Sequence, residues 1–449
     1  MVGSQADPLT ESPSSLRRDL LAIVQAGLRA ADAGALLRQA LDAERAPAGG
    51  IVAITVGKAS AAMARVAVER LGSQIRAGLV IGRRPDASAA TGHVPTRSID
   101  IDRFEVITAG HPLPDAASER AGTAALALAD ALADDETLLV LLSGGASALM
   151  AVPLTGLTLD DKRRTTERLL TAGADIHALN TVRKHLSAIK GGWLAARARG
   201  RCLAYAISDV VGDDPSVIAS GPTVPDSSTH RDALGVLTAY GGLRAYPMAV
   251  VGHLERGAAG LVADTPKPGD VRFARTRTRV IGGGRDAIEG AEADARRRGY
   301  HVLTIKTPVV GEARVAARTH VDRIAACAGT LPRPLCVVSG GETTVRVVGP
   351  GSGGRNQEFV LAAVPLMGLL GPSAVLASVG TDGADGPTDA AGALADGETL
   401  DRARSAGLES PARFLDDNNA HAFFAATNDL IHTGQTDTNV GDLQVVLLT

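Results

Sequence analysis

A Ser-Gly-Gly tripeptide occurs twice in the chain, each time directly after an apolar run. Glycine lets a ligand approach the main chain closely, and exposed N–H groups in such a turn bind anionic oxygens. Each apolar run predicts a buried strand that ends in an anion-binding turn. The pair therefore predicts a site for two anionic species or for one long one. The two tripeptides are Ser143, Gly144 and Gly145 and, later, Ser339, Gly340 and Gly341.

Two acidic clusters also follow apolar stretches that read as strands. Asp209 and Asp213 come after one stretch, and Asp382 and Asp385 come after another. Carboxylates of this kind suit Mg²⁺, and an aspartate there can act as a general base toward a hydroxyl. Turn chemistry is the alternative explanation, because Asp, Gly and Pro favour turns in any protein.

Basic side chains stand at positions where they can meet an anion. Lys58 follows Gly57 at a strand-to-helix turn, and Arg355 follows a glycine-rich loop at a predicted helix N-terminus, which is an anion site. Arg183 and Lys190 share one face of a basic helix, where they can pair with a carboxylate or a phosphate. The alternative for each is an ordinary solvated surface.

The elements that must position these residues read as alternating strands and helices, which is the doubly wound α/β pattern. Hydrophobic residues make up 45% of the chain and aromatic residues only 2%, so the core is built from aliphatic side chains. A length of 449 residues predicts two domains. We expect long helices over Asp175 to Arg199 and Val309 to Ala328, and a short strand over Leu335 to Val338.

Composition excludes several classes of protein. The net charge is −3 and no stretch interleaves basic with aromatic residues, so we expect no nucleic-acid partner. The cysteines Cys202, Cys327 and Cys336 indicate neither a zinc site nor a disulfide framework. Neither a signal peptide nor an apolar run of about 18 residues is visible, so a cytoplasmic protein with no membrane contact is expected.

Nine motifs together resemble the class II glycerate kinases, also called the MOFRL family, and they cover most of the chain in the family's order. In this sequence they read GKAS (57–60), AGHPLPD (109–115), LLSGGASALM (141–150), LNTVRKHLSAIKGG (179–192), ISDVVGDDPSVIASGPT (207–223), SGGETTV (339–345), GGRNQEF (353–359), GTDGADGPTDAAGA (380–393) and TNVGDL (438–443). The last motif departs from the family's Asn-Val-Asn-Asp-Leu, because Gly441 replaces the second Asn.

The resemblance implies a large N-terminal Rossmann-like α/β/α domain, placed at residues 1–245. A smaller C-terminal α/β (MOFRL) domain then spans residues 246–449, with the active site in the cleft between the two. It implies phosphorylation of D-glycerate at the 2-hydroxyl, with ATP and Mg²⁺ as cofactors, and a homodimer is conceivable. The competing activity is an NAD(P)H-dependent hydroxypyruvate reductase. A binding protein without catalysis explains the placed charges poorly.

Roles follow from the resemblance and from side-chain chemistry. Lys58 and Arg355 match family positions that line the active site, and Asp209 or Asp213 would orient or deprotonate the hydroxyl. Mg²⁺ would be bound by Asp382 and Asp385. The predicted substrate-binding residues are His111, Ser143, Gly144, Gly145, Ser147, Asn180, Arg183 and Lys190. The predicted nucleotide-binding residues are Ser339, Gly340, Gly341, Glu342, Thr343, Gly354, Asn356, Glu358, Thr381 and Gly383.

Overall fold

The structure, a computed structural model, describes residues 13–84 and 103–449 and divides into two compact units. We call residues 33–282 the parallel-sheet unit. Residues 283–449 together with the N-terminal helix form the mixed-sheet unit. The segment before Ser15, in which no signal peptide was recognised, lies almost wholly outside the described residues.

The observed boundary differs from the expected one at residues 245 and 246. The last strand of the parallel sheet, Thr276–Gly282, pairs with Arg201–Ile207, so residues well beyond 245 complete that unit. The helix Pro13–Ala30 belongs to the mixed-sheet unit instead, because Leu20 and Ile23 are fully buried in its core. Strand pairing and burial, which local composition does not reveal, place both ends of the parallel-sheet unit.

The parallel-sheet unit alternates strands with helices, as the sequence predicts. Its strands are β1 (Ile51–Val56), β2 (Ile75–Arg83), β3 (Phe104–Ala109), β4 (Thr137–Leu142), β5 (Arg201–Ile207) and β6 (Thr276–Gly282). With the N-terminal helix counted as α1, its helices are α2 (Ala33–Asp42), α3 (Ser60–Leu71), α4 (Ala116–Asp130), α5 (Ala146–Leu149), α6 (Leu159–Thr171), α7 (Ile176–His185), α8 (Trp193–Arg197), α9 (His230–Ala239) and α10 (Met248–Ala258).

All six strands of this unit run parallel, in the order β3-β2-β1-β4-β5-β6. Strands β1 and β4 are buried at every position, as expected for a sheet that is covered on both faces. The order is that of a Rossmann sheet, in which ligands bind beyond the carboxyl ends of the strands where the order reverses. Here the reversal lies between β1 and β4.

Side-chain caps mark where several helices of this unit begin. Asp115, Thr158 and Thr229 each accept a hydrogen bond from a backbone N–H of the first turn, which satisfies a donor that has no partner within the helix. The predicted helix over Asp175 to Arg199 is wrong in extent. It is broken into α7 and α8 because Gly191 and Gly192 adopt left-handed φ values of 58° and 88°, which turn the chain.

The mixed-sheet unit contains the remaining elements. Its strands are β7 (His301–Thr304), β8 (Val309–Glu312), β9 (Leu335–Thr344), β10 (Ala374–Gly380), β11 (Gly392–Asp396), β12 (Leu430–Ile431) and β13 (Asp442–Leu448). Its helices after α1 are α11 (Gly284–Arg297), α12 (Ala313–Ala328), α13 (Arg355–Ala363), α14 (Thr399–Ser405), α15 (Pro411–Asp416) and α16 (Ala420–Thr427). The predicted helix over Val309 to Ala328 is therefore a short strand followed by a helix.

Six strands of this sheet follow the order β12-β11-β10-β13-β9-β7, and β8 also pairs with β9. Strands β7 and β8 run parallel to β9, whereas the other pairs are antiparallel. Alternate residues of β13 point to opposite faces, so Val446 packs in one core and Val445 in another. The sheet is thus buried on both faces.

No single helix among the described residues is long and apolar enough to span a membrane. Only the consecutive N-terminal helices Ser15–Ala30 and Ala33–Asp42, taken as a bent pair, pass that test by length and composition. The apolar residues of the first helix are buried in the core of the mixed-sheet unit, which accounts for its composition.

Candidate active site

The first Ser-Gly-Gly turn lies at the reversal point of the parallel sheet. Ser143 donates its backbone N–H to Val56 O (2.9 Å), and its hydroxyl accepts the N–H of Ala59 (3.0 Å). Lys58 N donates to Gly144 O (2.9 Å), so the turns after β1 and β4 are bonded to each other. No acceptor among residues 13–84 and 103–449 receives the N–H groups of Gly144 and Gly145. These two amides are available to an anion.

Lys58 and His111 approach the same turn. A Cβ atom placed on Gly145 would lie 3.1 Å from His111 Nε2 and 3.7 Å from Lys58 Cγ. Gly145 has a left-handed φ of 84°, so both its conformation and its neighbours require glycine. The structure thus brings together Lys58, His111 and the Gly144–Gly145 amides, which the sequence had placed in three separate motifs.

Ser147, one residue beyond Ala146, is the centre of a cationic cluster. Its hydroxyl lies 2.5 Å from Arg183 Nη2 and 2.8 Å from Lys190 Nζ. Lys190 also donates to Ser147 O (3.0 Å) and to Ala219 O (3.1 Å). Asn180 Oδ1 accepts from Arg183 Nη1 (3.3 Å), so four of the predicted substrate-binding residues meet here.

The sequence analysis missed a third cation, Lys162 on α6. Its side chain is 7% exposed, and its one described hydrogen bond is to Val152 O at 3.4 Å. Desolvation and the nearby Arg183 lower the pKa of Lys162 to about 7, although Glu119 opposes the shift. A Lys three residues into an amphipathic helix gives no sign in the sequence that it is buried.

The three cations have no ion pair with any carboxylate in the described part of the chain. Lys190 is 2% exposed, and burial lowers its pKa well below the usual value for lysine, with Arg183 and Lys162 adding to the effect. Burial also lowers the pKa of Arg183 to about 10. Burying positive charge without a counter-charge is costly, and a bound anion would offset that cost.

A strained segment holds the far side of the cluster. Ala219, Ser220 and Gly221 have φ values of 53°, 61° and 63°, and left-handed conformations cost energy at the two residues with side chains. Ser220 Oγ lies 2.9 Å from Ser147 Oγ and donates to Asn180 Oδ1 (3.1 Å). Strain that aims a polar side chain into a charged cluster is typical of functional sites. Ser220 lies within the motif at 207–223, but its residue type alone does not indicate a role in the site.

The two candidate bases differ in their placement. Asp209 lies two residues beyond β5, which is paired with β4, and it is half-buried. Asp213 sits farther along in a turn with a left-handed φ of 53°, its N–H bonded to Val210 O (3.1 Å). Turn geometry accounts for Asp213 without any catalytic role.

The second Ser-Gly-Gly tripeptide is not a turn. Ser339, Gly340 and Gly341 lie inside β9, which continues to Thr344 and pairs with both β13 and β8. A Cβ atom on Gly341 would lie 2.0 Å from Val309 O, so this glycine admits β8 rather than a ligand. The Ser339 hydroxyl is buried between His320 Nε2 and Gln444 Oε1. The predicted turn is therefore wrong, and the nucleotide-binding role of these three residues stays a prediction.

Asp385 occupies the helix N-terminus that the sequence analysis assigned to a nucleotide. Its Oδ1 accepts the N–H of Asn356 (3.0 Å) and its Oδ2 accepts that of Gln357 (2.8 Å), which caps α13. Gly354 is required because a Cβ atom there would lie 2.3 Å from Asp385 Cγ. Burial raises the pKa of Asp385 to about 7, against the opposing effect of those N–H groups. Asp385 and Gly354 thus both serve this cap, and their predicted metal-binding and phosphate-binding roles stay predictions.

Arg355 is held by two carboxylates. Its Nε donates to Asp442 (2.9–3.0 Å) and its Nη1 to Glu342 (2.9 Å), while its side chain remains 30% exposed. Burial works against the charge, but Asp442 and Glu342 outweigh it and raise the pKa of Arg355. Thr343 N donates to the same Asp442 at 3.3 Å. The arginine is therefore charged and fixed in orientation.

Other predicted nucleotide-binding residues are engaged within the unit. Asn356 bonds Asp442, Asp385 and Ser378. Glu358 accepts from Arg314 (2.7 Å) and Asn418 (3.0 Å). These hydrogen bonds satisfy the two buried side chains, and their predicted nucleotide-binding roles stay predictions.

Thr381 and Gly383 tie the end of β10 to the loop that precedes β13. The Thr381 hydroxyl donates to Gly441 O (2.7 Å), and a Cβ atom on Gly383 would lie 1.9 Å from Gly434 O. Gly441 has a left-handed φ of 88°, a conformation that Asn also tolerates, so its replacement of the family's Asn preserves the backbone. Of the acidic pair, Asp382 is half-buried, and its Oδ1 accepts the N–H of Ala384 (3.2 Å).

Two protein-family models match most of the chain. The family model "Domain of unknown function (DUF4147)" matches residues 19–255, and the MOFRL family model matches residues 335–442. The chain is 36% identical to the D-glycerate 2-kinase of Thermotoga maritima, over 97% of this chain and 99% of that one. The chain belongs to the glycerate 2-kinase (MOFRL) family. Its fold is that of the Thermotoga maritima glycerate kinase crystal structure, which matches with a TM-score of 0.82 over 97% of this chain and 100% of that one.

Other relatives of this glycerate 2-kinase family member carry two different names. The glycerate 2-kinase of Pyrococcus horikoshii is 36% identical over 89% of this chain and 88% of that one. A protein of Agrobacterium vitis that carries hydroxypyruvate reductase as a provisional name is 39% identical over 90% of this chain and 88% of that one.

Proposed function

We propose that this protein is a D-glycerate 2-kinase that transfers the γ-phosphoryl group of ATP to the 2-hydroxyl of D-glycerate, giving 2-phospho-D-glycerate and ADP. The observation that carries the proposal is the buried group of three cations beside two free backbone amides, at the reversal point of a Rossmann sheet. Such a site requires a small anionic ligand. The names of the relatives supply the identity of that ligand.

The glycerate carboxylate supplies the negative charge that the cationic cluster lacks. Arg183 can bind it with its planar fork, and Lys190 adds a second charge that Ser147 and Ala219 hold in place. Ser220 and Asn180 offer polar atoms beside them, suited to the hydroxyl groups. Burial strengthens each of these contacts, because water is excluded.

Lys58 and the Gly144–Gly145 amides act on the reacting groups. Phosphoryl transfer places charge on the equatorial oxygens of the moving group, and catalysis depends on positioning and charge stabilisation. Lys58, fixed through its own backbone bond to Gly144 O, would neutralise that charge. Asp209 would accept the proton of the 2-hydroxyl while the hydroxyl oxygen forms a bond to the γ-phosphorus and ADP leaves.

We place the donor phosphates against Arg355 of the mixed-sheet unit, since its guanidinium is partly exposed and fixed by Asp442 and Glu342. Asp382 and Asp385 are the carboxylates that would hold Mg²⁺, although both oxygens of Asp385 also accept helix N–H groups. That agrees with the preference of Mg²⁺ for few carboxylates together with phosphate oxygens and water. When bound, the ion would screen the charge of the donor phosphates.

The reductase activity is not supported by the site. A dinucleotide bound at this sheet needs a Gly-x-Gly-x-x-Gly turn after β1. Here that turn reads Gly57-Lys58-Ala59-Ser60, and it places a lysine where the pyrophosphate would lie.

The cytoplasmic location and the homodimer remain predictions, which cell fractionation and sedimentation of the purified protein would test.

Phosphorus NMR of purified protein with D-glycerate, ATP and Mg²⁺ tests the proposal directly. We expect the 2-phosphoglycerate signal to grow as ATP is consumed. Arg183→Gln should raise the KM for glycerate about 100-fold with little change in the KM for ATP, because a charged hydrogen bond to substrate is worth about 2–3 kcal/mol. A 3-phosphoglycerate product, or NADH oxidation with hydroxypyruvate in the absence of ATP, would refute the assignment.

A further inference from the structure

A second cluster of ligating side chains lies in the parallel-sheet unit outside the candidate active site. His185 ends α7, His230 begins α9, and Asp264 lies in the loop after α10. His185 Nε2 is 2.8 Å from Asp264 Oδ1, and His230 Nδ1 is 3.3 Å from the same oxygen. Within residues 13–84 and 103–449, this is the one group of three such side chains whose potential ligand atoms all lie within 4.8 Å of one another.

The hydrogen bonds of His185 decide which nitrogen faces the cluster. Its Nδ1 lies 2.7 Å from the carbonyl oxygen of Thr181, to which it donates. Nε2, which lies 2.8 Å from Asp264 Oδ1, is then the nitrogen that can give an electron pair to a cation. A metal-bound histidine shows this arrangement, in which the outer nitrogen donates to a backbone carbonyl and thereby orients the ring.

His230 presents a second electron pair that has no hydrogen-bond partner. Its side chain is 3% exposed, and no described atom bonds its Nδ1. Gly257 of α10 lies close to the ring, since a Cβ atom there would be 2.2 Å from His230 Cγ.

A proton on His185 would explain its contact with Asp264 but not the buried, unpartnered nitrogen of His230. Lys267 also approaches Asp264 Oδ1, at 3.1 Å, but this lysine is bonded to Ser228 O and to Thr265 Oγ1 as well. A nearby carboxylate, Asp226, is already paired with Lys184. A cation at the meeting point of the three donors would satisfy all of them.

We propose that His185, His230 and Asp264 bind a structural Zn²⁺ ion. Two imidazoles and one carboxylate are a donor set that Zn²⁺ takes, with water in the fourth position. Asp264 is 31% exposed, which gives the ion a path from solvent. The ion would tie α7 to α9 and to the loop after α10, and so would fix the end of the helix that carries Arg183.

Metal analysis of the untagged, full-length protein tests this site without reference to kinase activity. After chelation and dialysis, the protein is titrated with Zn²⁺ or with Co²⁺, whose visible d–d bands report tetrahedral nitrogen and oxygen ligation. We compare wild type with His230→Ala, with Asp264→Asn and with the matched control His177→Ala, an exposed histidine on α7. Asp264→Asn removes the charge of a half-exposed ligand, so it tests the site even if His230→Ala fails to fold.

We expect one equivalent of metal in wild type and in His177→Ala, and a loss of at least tenfold in affinity in the other two variants. A Zn²⁺ concentration 100 times Kd should raise Tm by about 5 °C or more in wild type and not in Asp264→Asn. Equal binding by all four proteins would show adventitious surface sites and overturn the proposal. Binding of less than one equivalent of Zn²⁺ at about 100 µM metal would also overturn the proposal. A direct hydrogen bond between His185 and Asp264 would then account for their contact.

Discussion

Replacing the buried Lys162 by methionine should stabilise the unliganded enzyme while weakening its hold on substrate. In the folded chain, desolvation lowers the pKa of Lys162 from 10.5 to about 7. The unfolded chain therefore binds more protons than the folded one between these values, and folding is penalised there. With about 1.4 kcal/mol for each pH unit, the penalty is about 4 kcal/mol at pH 7 and about 2 kcal/mol at pH 9.

Methionine removes this penalty at small cost. The one described hydrogen bond of Lys162, to Val152 O, is long, and that carbonyl still accepts from Ser187 Oγ (3.2 Å) and Ala188 N (3.0 Å). We therefore expect Lys162→Met to raise the free energy of unfolding by at least about 2 kcal/mol at pH 7 and by less at pH 9. The stabilisation of the enzyme by D-glycerate should decrease, because one cation of the site is lost.

Urea denaturation, monitored by tryptophan fluorescence, measures the free energy of unfolding of the parallel-sheet unit. Trp193 is the single tryptophan of the chain and lies in α8, so its emission reports on the parallel-sheet unit. Arg164→Met, at an exposed position of the same helix, is the matched control and should change stability by less than about 0.5 kcal/mol at either pH. A destabilised Lys162→Met protein, or the same gain at pH 7 and pH 9, would refute the uncompensated-cation argument.

Three further substitutions test separate parts of the site. Gly145→Ala should lower kcat at least tenfold at a stability cost of about 1–2 kcal/mol, as its φ is 84° and its Cβ atom would press on His111; normal kinetics would contradict this. Arg355→Ala should reduce turnover and lower the free energy of unfolding by about 3 kcal/mol, because buried Asp442 loses its partner. Arg355→Lys should recover most of that stability in urea denaturation but should not recover the turnover. Gly354→Ala should lower Tm by several degrees through its clash with the α13 cap, while Gly368→Ala, which has open space, should not; equal Tm values would show that the cap tolerates displacement.

The sequence predicted the parallel-sheet unit well because its signals are local. Apolar runs over Ile51–Val56 and Thr137–Leu142 are buried strands, and the turn after each one is where the sequence placed it. Lys58 and Ser143 then meet because neighbouring parallel strands end at the same edge of the sheet. Nothing in the local sequence of Lys162 shows that helix packing brings it near Arg183 and Lys190. Nor does the sequence around Ser220 show that a strained turn brings its hydroxyl to Ser147.

The two Ser-Gly-Gly tripeptides show why local sequence was insufficient elsewhere. Both follow apolar strands, yet the first ends its strand with free N–H groups, and the second continues as β9. The difference lies in β8 and β13, which approach Gly341 from other parts of the chain and use its backbone groups. The same holds for Arg355–Gln357, where the expected anion site at the start of α13 is filled by Asp385.

By itself, the sequence determined the family, the alternation of strands and helices, and the turn at Ser143, because these depend on residue type, periodicity and backbone propensity over short stretches. Only the tertiary structure decided which N–H groups remain free for a ligand, which carboxylates are already used, and that Lys162, Arg183 and Lys190 gather without a counter-charge. The physical reason is that a polar group can bind a ligand only if no distant segment of the chain already forms a hydrogen bond with it. The residues next to it in the sequence do not show whether such a segment packs there.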